Sequence, residues 1–154
     1  MKDAVNMVKF LAELPKRRRG KACIVLTQEA GEQKPWAADL AAQTGAQHID
    51  LLDRFTEDAV LAGRIETFDV DDLFALLQRE NDKPVLIITG LEFLRASWSG
   101  RTTAMEDFAK RLEFWEKAPA LVFVTQYDTF LAKRKFDQRF QYTYVVDQRD
   151  TLAL

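Results

Sequence analysis

The sequence predicts an α/β fold: a single domain over residues 1–154, built as a three-layer sandwich on a five-stranded, mainly parallel sheet. Three observations predict it. Several apolar runs are continuous rather than alternating, which marks strands covered on both faces. Segments with helical periodicity separate these runs, as crossover connections do. A chain of 154 residues with 47% hydrophobic content is one domain's length and has enough apolar mass for a core between two helical layers.

The elements follow in order. Over residues 3 to 14, Val5, Val8, Leu11 and Leu14 recur at helical spacing, and Pro15 closes the helix. Lys16-Arg17-Arg18-Arg19-Gly20-Lys21 leads into a first strand, Ala22 to Thr27. After a loop, Trp36 to Ala42 reads as helix. His48 to Leu52 is a short second strand, and residues 55 to 62 a short helix. Asp69, Asp71 and Asp72 precede Leu73-Phe74-Ala75-Leu76-Leu77, acids before apolar residues, as at a helix start. Lys83-Pro84 introduces the strand Val85 to Thr89. Ser97-Trp98-Ser99-Gly100-Arg101 reads as a loop. Thr103 to Lys117 is an amphipathic helix with Phe108, Leu112 and Trp115 facing inward. Ala120 to Thr125 is the fourth strand, Asp128 to Asp137 a helix, and Tyr142 to Val146 the fifth strand. No internal repeat or low-complexity segment interrupts the series.

The net charge of −2 argues against a protein that coats nucleic acid over its whole surface. The one cysteine, Cys23, has no internal disulfide partner, which fits a reducing compartment. No segment approaches the roughly 18 apolar residues of a membrane span, and no signal-peptide pattern opens the chain. The expectation is a cytoplasmic protein with no membrane partner.

The loop after the first strand, Thr27-Gln28-Glu29-Ala30-Gly31-Glu32-Gln33-Lys34-Pro35-Trp36, sits where a phosphate-binding loop sits, between strand and helix. A working loop, G-x-x-x-x-G-K-[ST], presents backbone N–H groups, a lysine and a magnesium-holding hydroxyl. Lys34 falls at the lysine position. Gln28 and Gln33 occupy the two glycine positions, and Pro35 replaces the hydroxyl. The apolar run ending Thr89-Gly90-Leu91-Glu92 has a threonine where a Walker B strand has its magnesium-holding aspartate. The run ending Thr125-Gln126 stands where a sensor residue follows the fourth strand.

These three segments, in this order, resemble a P-loop NTPase of the additional-strand type with degenerate Walker motifs. The basic approach to the first strand, the compact domain and Gly90-Leu91-Glu92-Phe93-Leu94 are similar to the small P-loop-containing accessory proteins of BREX phage-defence systems. The resemblance implies nucleotide-facing positions at Gly31, Lys34, Glu92 and Gln126. It implies other defence-system proteins as partners, with self-assembly or DNA contact as further options. The two missing magnesium ligands imply no efficient ATPase activity, since phosphoryl transfer relies on charge neutralisation by the metal. No cofactor is expected, and magnesium–ATP would bind weakly. The function expected is a non-catalytic docking subunit; the alternatives are a nucleotide-binding switch and a nonspecific DNA-binding module.

The remaining candidates are surface features. Lys16, Arg17, Arg18, Arg19 and Lys21 precede the first strand, while Lys133, Arg134, Lys135 and Arg139 precede the fifth. In the additional-strand order these two strands are neighbours, so the segments would merge into one patch. That patch would be solvated surface, a contact for phosphate backbone, or a contact for an acidic protein. His48 lacks metal-ligand spacing, and no metal is expected. Trp98 is either an exposed anchor or core.

Overall fold

Local caps and burial explain where the elements fall in the computed structural model, which describes residues 4–101 and 103–152. A short strand β1 (Val5–Asn6) precedes helix α1 (Met7–Glu13), because the Asn6 side chain caps the helix by accepting from Lys9 N. Residue 3, the expected helix start, lies outside the described residues, and Leu14 to Lys16 tighten into a 3₁₀ turn at Pro15. Strand β2 (Ala22–Thr27) is buried at every position, as a continuous apolar run requires. Helix α2 (Gln33–Thr44) starts three residues earlier than the periodicity suggested and stops at Gly45, which takes a left-handed conformation.

Strand β3 (Gln47–Asp50) is followed by two short helices, α3 (Leu51–Glu57) and α4 (Ala59–Ala62), where the sequence suggested one. Asp58 divides them: its extended backbone breaks the helix and its carboxylate caps the next. Helix α5 (Val70–Gln78) begins with a reciprocal cap. Asp69 Oδ1 accepts from Asp72 N at 2.8 Å, and Asp72 Oδ2 accepts from Asp69 N at 3.1 Å. Strand β4 (Val85–Thr89) is wholly buried. Helix α6 (Glu92–Trp98) then covers part of the stretch read as loop. Trp98 is 1% exposed and donates to Phe68 O at 2.8 Å, so it belongs to the core.

Helix α7 (Ala104–Glu113), strand β5 (Ala120–Gln126) and helix α8 (Thr129–Lys133) follow. The last strand of the main sheet, β6 (Val145–Asp147), is shorter and later than expected, although Tyr144 O just before it already accepts from Ile24 N of β2 at 2.8 Å. A terminal strand β7 (Thr151–Leu152) pairs in parallel with β1 in a two-stranded sheet that sequence patterning did not reveal.

The main sheet has five strands in the order β3-β4-β5-β2-β6, all parallel. Alternate residues of each strand feed opposite layers. Ile24, Leu26, Leu86 and Phe123 pack with Phe74, Phe108 and Leu94 of α5, α7 and α6. Cys23, Val25, Ile87 and Val122 pack with Met7, Leu11 and Leu40 of α1 and α2. Much of the phenylalanine content fills the first layer: Phe74 lies 5.9 Å from Phe108 and 5.8 Å from Phe123, ring centre to ring centre. Burial pushes the Cys23 thiol up to about 12, so it behaves as a small apolar side chain. No helix among the described residues is long and apolar enough to cross a membrane.

Candidate functional site

With every strand running the same way, the carboxyl ends of β2, β4 and β5 share one edge, where ligands of open α/β sheets bind. Each of these strands carries a fully buried threonine at or next to its end: Thr27, Thr89 and Thr125. The loop after β2 makes a 3₁₀ turn over Ala30–Glu32 before α2 begins at Gln33. Gln33 is 3% exposed. Its Nε2 lies 3.2 Å from Thr27 Oγ1 and 3.1 Å from Glu92 Oε2. The same Glu92 oxygen accepts from Thr125 Oγ1 at 2.7 Å and from Gln126 N at 2.9 Å. Arg95 Nη1 donates to Thr125 Oγ1 and to Gln126 O, both at 2.9 Å, and Arg95 pairs with Asp128 at 3.1 Å. The structure thus brings together Glu92 and Gln126, two of the four positions expected to face a nucleotide. Glu92 accepts from the protein's own Gln33, a residue the sequence marked only as a missing glycine, and Gln126 joins it through its backbone N–H.

Lys34 turns the other way. Its Nζ pairs with Asp53 Oδ2 at 2.8 Å, with both side chains about half exposed. The hydrogen bond to Asp53, then the nearby Asp50, hold its pKa above the usual lysine range. Gly31 is exposed, needs no left-handed backbone, and has nothing within 4 Å of where a Cβ would stand.

A second cluster lies between the ends of β3 and β4. Thr89 Oγ1 is 2.8 Å from Asp50 Oδ2 and 2.9 Å from His48 Nε2. A carboxylate only accepts, so the hydroxyl gives its proton to Asp50 and receives one from His48 Nε2–H. Asp50 Oδ1 also caps α3 through Asp53 N at 2.9 Å. Gly90 makes room for this arrangement. Its φ is +75°, and a Cβ there would stand 2.8 Å from the Asp50 carboxylate. Burial lowers the His48 pKa below its ordinary 6.5, against the pull of Asp50.

The two basic segments meet at the opposite edge. Arg17 Nη2 donates to Thr143 O at 3.0 Å, and Arg19 pairs with Asp137 at 2.7 Å. Several of these arginines serve the fold. Arg17 stacks over Tyr142 at 4.5 Å and Phe10 at 5.2 Å, and burial lowers its pKa. Arg134 grips Glu106 through two bonds of 2.8 Å and reaches Glu113 at 3.3 Å. That hydrogen bonding lowers the Glu106 pKa and raises that of Arg134. Arg139 pairs with Asp137 at 2.8 Å. Lys16, Arg18, Lys133 and Lys135 are exposed and Lys21 half-buried, and none has an ion pair among the described residues. Aromatic rings do interleave with these charges in space. Phe10, Tyr142 and Tyr144 lie around Arg17, and Phe114 and Phe140 beside Arg19.

Two outcomes follow from the second cluster. Gly90→Ala should lower unfolding stability by about 2 kcal/mol, because a side chain in the left-handed region costs 1–2 kcal/mol and Asp50 must also shift. Gly31→Ala should change it by less than about 0.5 kcal/mol, as surface substitutions usually do; chemical denaturation of both variants checks this. His48 also predicts an acid limb. Its native pKa lies below the unfolded value, so no penalty exists above pH 6.5. As pH falls below that value the unfolded chain takes up the proton first, and stability declines. Urea unfolding between neutral and mildly acidic pH should show a shallower decline for His48→Gln than for the wild type.

The chain matches no known family model, no curated protein and no solved structure, so its functional reading rests on this geometry.

Proposed function

We propose that the chain is a P-loop NTPase-like docking subunit of a BREX-type phage-defence assembly, with a nucleotide cradle closed by its own side chains. The fold-level part is an analogy. Supporting it, β2 lies between β5 and β6, so the first and fifth strands of the main sheet are neighbours. A loop and helix follow β2 at the carboxyl edge, as a phosphate-binding loop would.

The observation that carries the reading is Gln33. Glycine at this position would leave space for a phosphate to approach the backbone; here a buried side chain crosses to Glu92. Three further features agree. Lys34 is neutralised by Asp53. Pro35 and Thr89 offer no metal ligand where the resemblance expects two, and Thr89 is committed to Asp50 and His48. Glu29 and Glu32 place exposed negative charge on the loop itself. A triphosphate would have to displace a satisfied network and face that charge.

A docking subunit then works through surface complementarity rather than turnover. Its free basic side chains at the amino edge suit acidic partners, because Arg and Lys recognise carboxylates at a distance and on contact. Half-exposed Lys34 is what remains to a nucleotide-binding switch, by exchanging Asp53 for a phosphate.

Calorimetry with magnesium–ATP should give no saturable binding at submillimolar concentration and no phosphate release. Co-expression with the other components of a BREX-type assembly should yield a complex that neither ATP nor Lys34→Ala alters. A complex that forms only with ATP and is lost in Lys34→Ala would establish the switch instead. Absence of any complex would overturn the docking role.

A further inference from the structure

In an all-parallel sheet, every segment entering a strand lies at one edge and every segment leaving a strand lies at the other. The charges of this chain divide along that line. At the entering edge, Lys16, Arg18, Lys133 and Lys135 are exposed and without ion pairs among the described residues. Glu116 and Asp82 at this edge each sit beside a lysine, Lys117 and Lys83, so the excess stays positive. At the leaving edge, Glu29, Glu32, Glu57 and Asp58 are exposed. The cations there are largely spent: Lys34 pairs with Asp53 and Arg95 with Asp128, while Arg54, after β3, reaches to Glu80 in the segment that enters β4.

Each edge also holds exposed apolar groups amid its charges. Phe114 and Phe140 are 48% and 40% exposed beside Arg19 at the basic edge. Leu52 and Val60 are 49% and 72% exposed on α3 and α4 at the acidic edge. Apolar groups with a charged surround are the anatomy of a protein interface.

We infer that the basic edge of one copy docks on the acidic edge of a second copy, head to tail. The chain carries both halves of the contact. Its net charge of −2 leaves little overall repulsion between copies, while the separated charges orient two molecules end to end. Nucleic acid would satisfy only the basic edge and would leave the acidic edge without a partner. Because the joined surfaces differ, the contact is heterologous and propagates into rings or open chains rather than stopping at a two-fold dimer. This names a partner for the basic edge and so rests on the docking reading, but not on any nucleotide-binding ancestry.

Light scattering coupled to size exclusion tests it, at low and high salt and over a range of protein concentrations. The wild type should gain mass with concentration at low salt and return to monomer at high salt, as screening shortens the reach of charge. A basic-edge variant (Lys16→Glu, Arg18→Glu, Lys135→Glu) should be monomeric alone. So should an acidic-edge variant (Glu29→Lys, Glu32→Lys, Glu57→Lys). Mixing the two should restore association, since each keeps the edge the other lacks. A wild type that stays monomeric under all conditions would overturn the inference. So would association that survives in either variant alone. A monomer that binds duplex DNA through Lys16, Arg18 and Lys135 would also overturn it. A monomer that still bound another acidic protein through the same residues would refute only self-association and leave the docking role standing.

Discussion

One carboxylate oxygen organises the carboxyl edge of the sheet. Glu92 Oε2 takes donors from the Gln33 side chain, the Thr125 hydroxyl and the Gln126 backbone. It thereby ties the first turn of α2, the end of β5 and the start of α6 to one point. Hydrogen bonds to a charged group contribute about 1.5–3 kcal/mol each, more than neutral pairs. In the function proposed, the contact that holds this edge together also closes it to a ligand. Arg95 extends the network to Asp128, so the charges inside it are answered from within the chain.

The neighbouring cluster follows the same logic. Thr89 stands where the resemblance expects a metal-holding aspartate, and it spends its hydroxyl joining Asp50 to His48. Asp50 in turn caps α3, and Gly90 gives its carboxylate room. Lys34 is drawn to Asp53, beside that cap. Polar groups at a sheet edge are costly when unpaired. Here Thr89, Asp50 and His48 have found partners in one another and in the start of α3.

The strands were legible because continuous apolar runs have few other solutions, and the parallel sheet followed from the helices between them. The helix starts were less legible. Caps at Asn6 and Asp58 act through single side chains whose contribution tertiary packing can override. The β1–β7 pair joins residues almost 150 positions apart through two-residue strands, too short to show periodicity. At the site, sequence spacing marked Gln28, Gln33 and Pro35 as departures from a phosphate-binding loop and Lys34 as a match to it. It could not show that Gln33 reaches Glu92, since that contact spans the fold. A signal was present all the same: the apolar runs at β2, β4 and β5 each end on threonine, the small polar residue that a closed edge can use. The arginines of the basic segments were counted as surface. Arg17 and Arg134 are partly buried because rings and carboxylates from remote segments enclose them.

A double-mutant cycle on Gln33 and Glu92 tests the closure most directly. Unfolding free energies of Gln33→Ala, Glu92→Ala and the double variant should give a coupling of about 1 kcal/mol or more, within the range found for residues sharing one hydrogen-bond network. Strict additivity would mean that the two side chains do not grip each other, and would contradict a cradle filled from within.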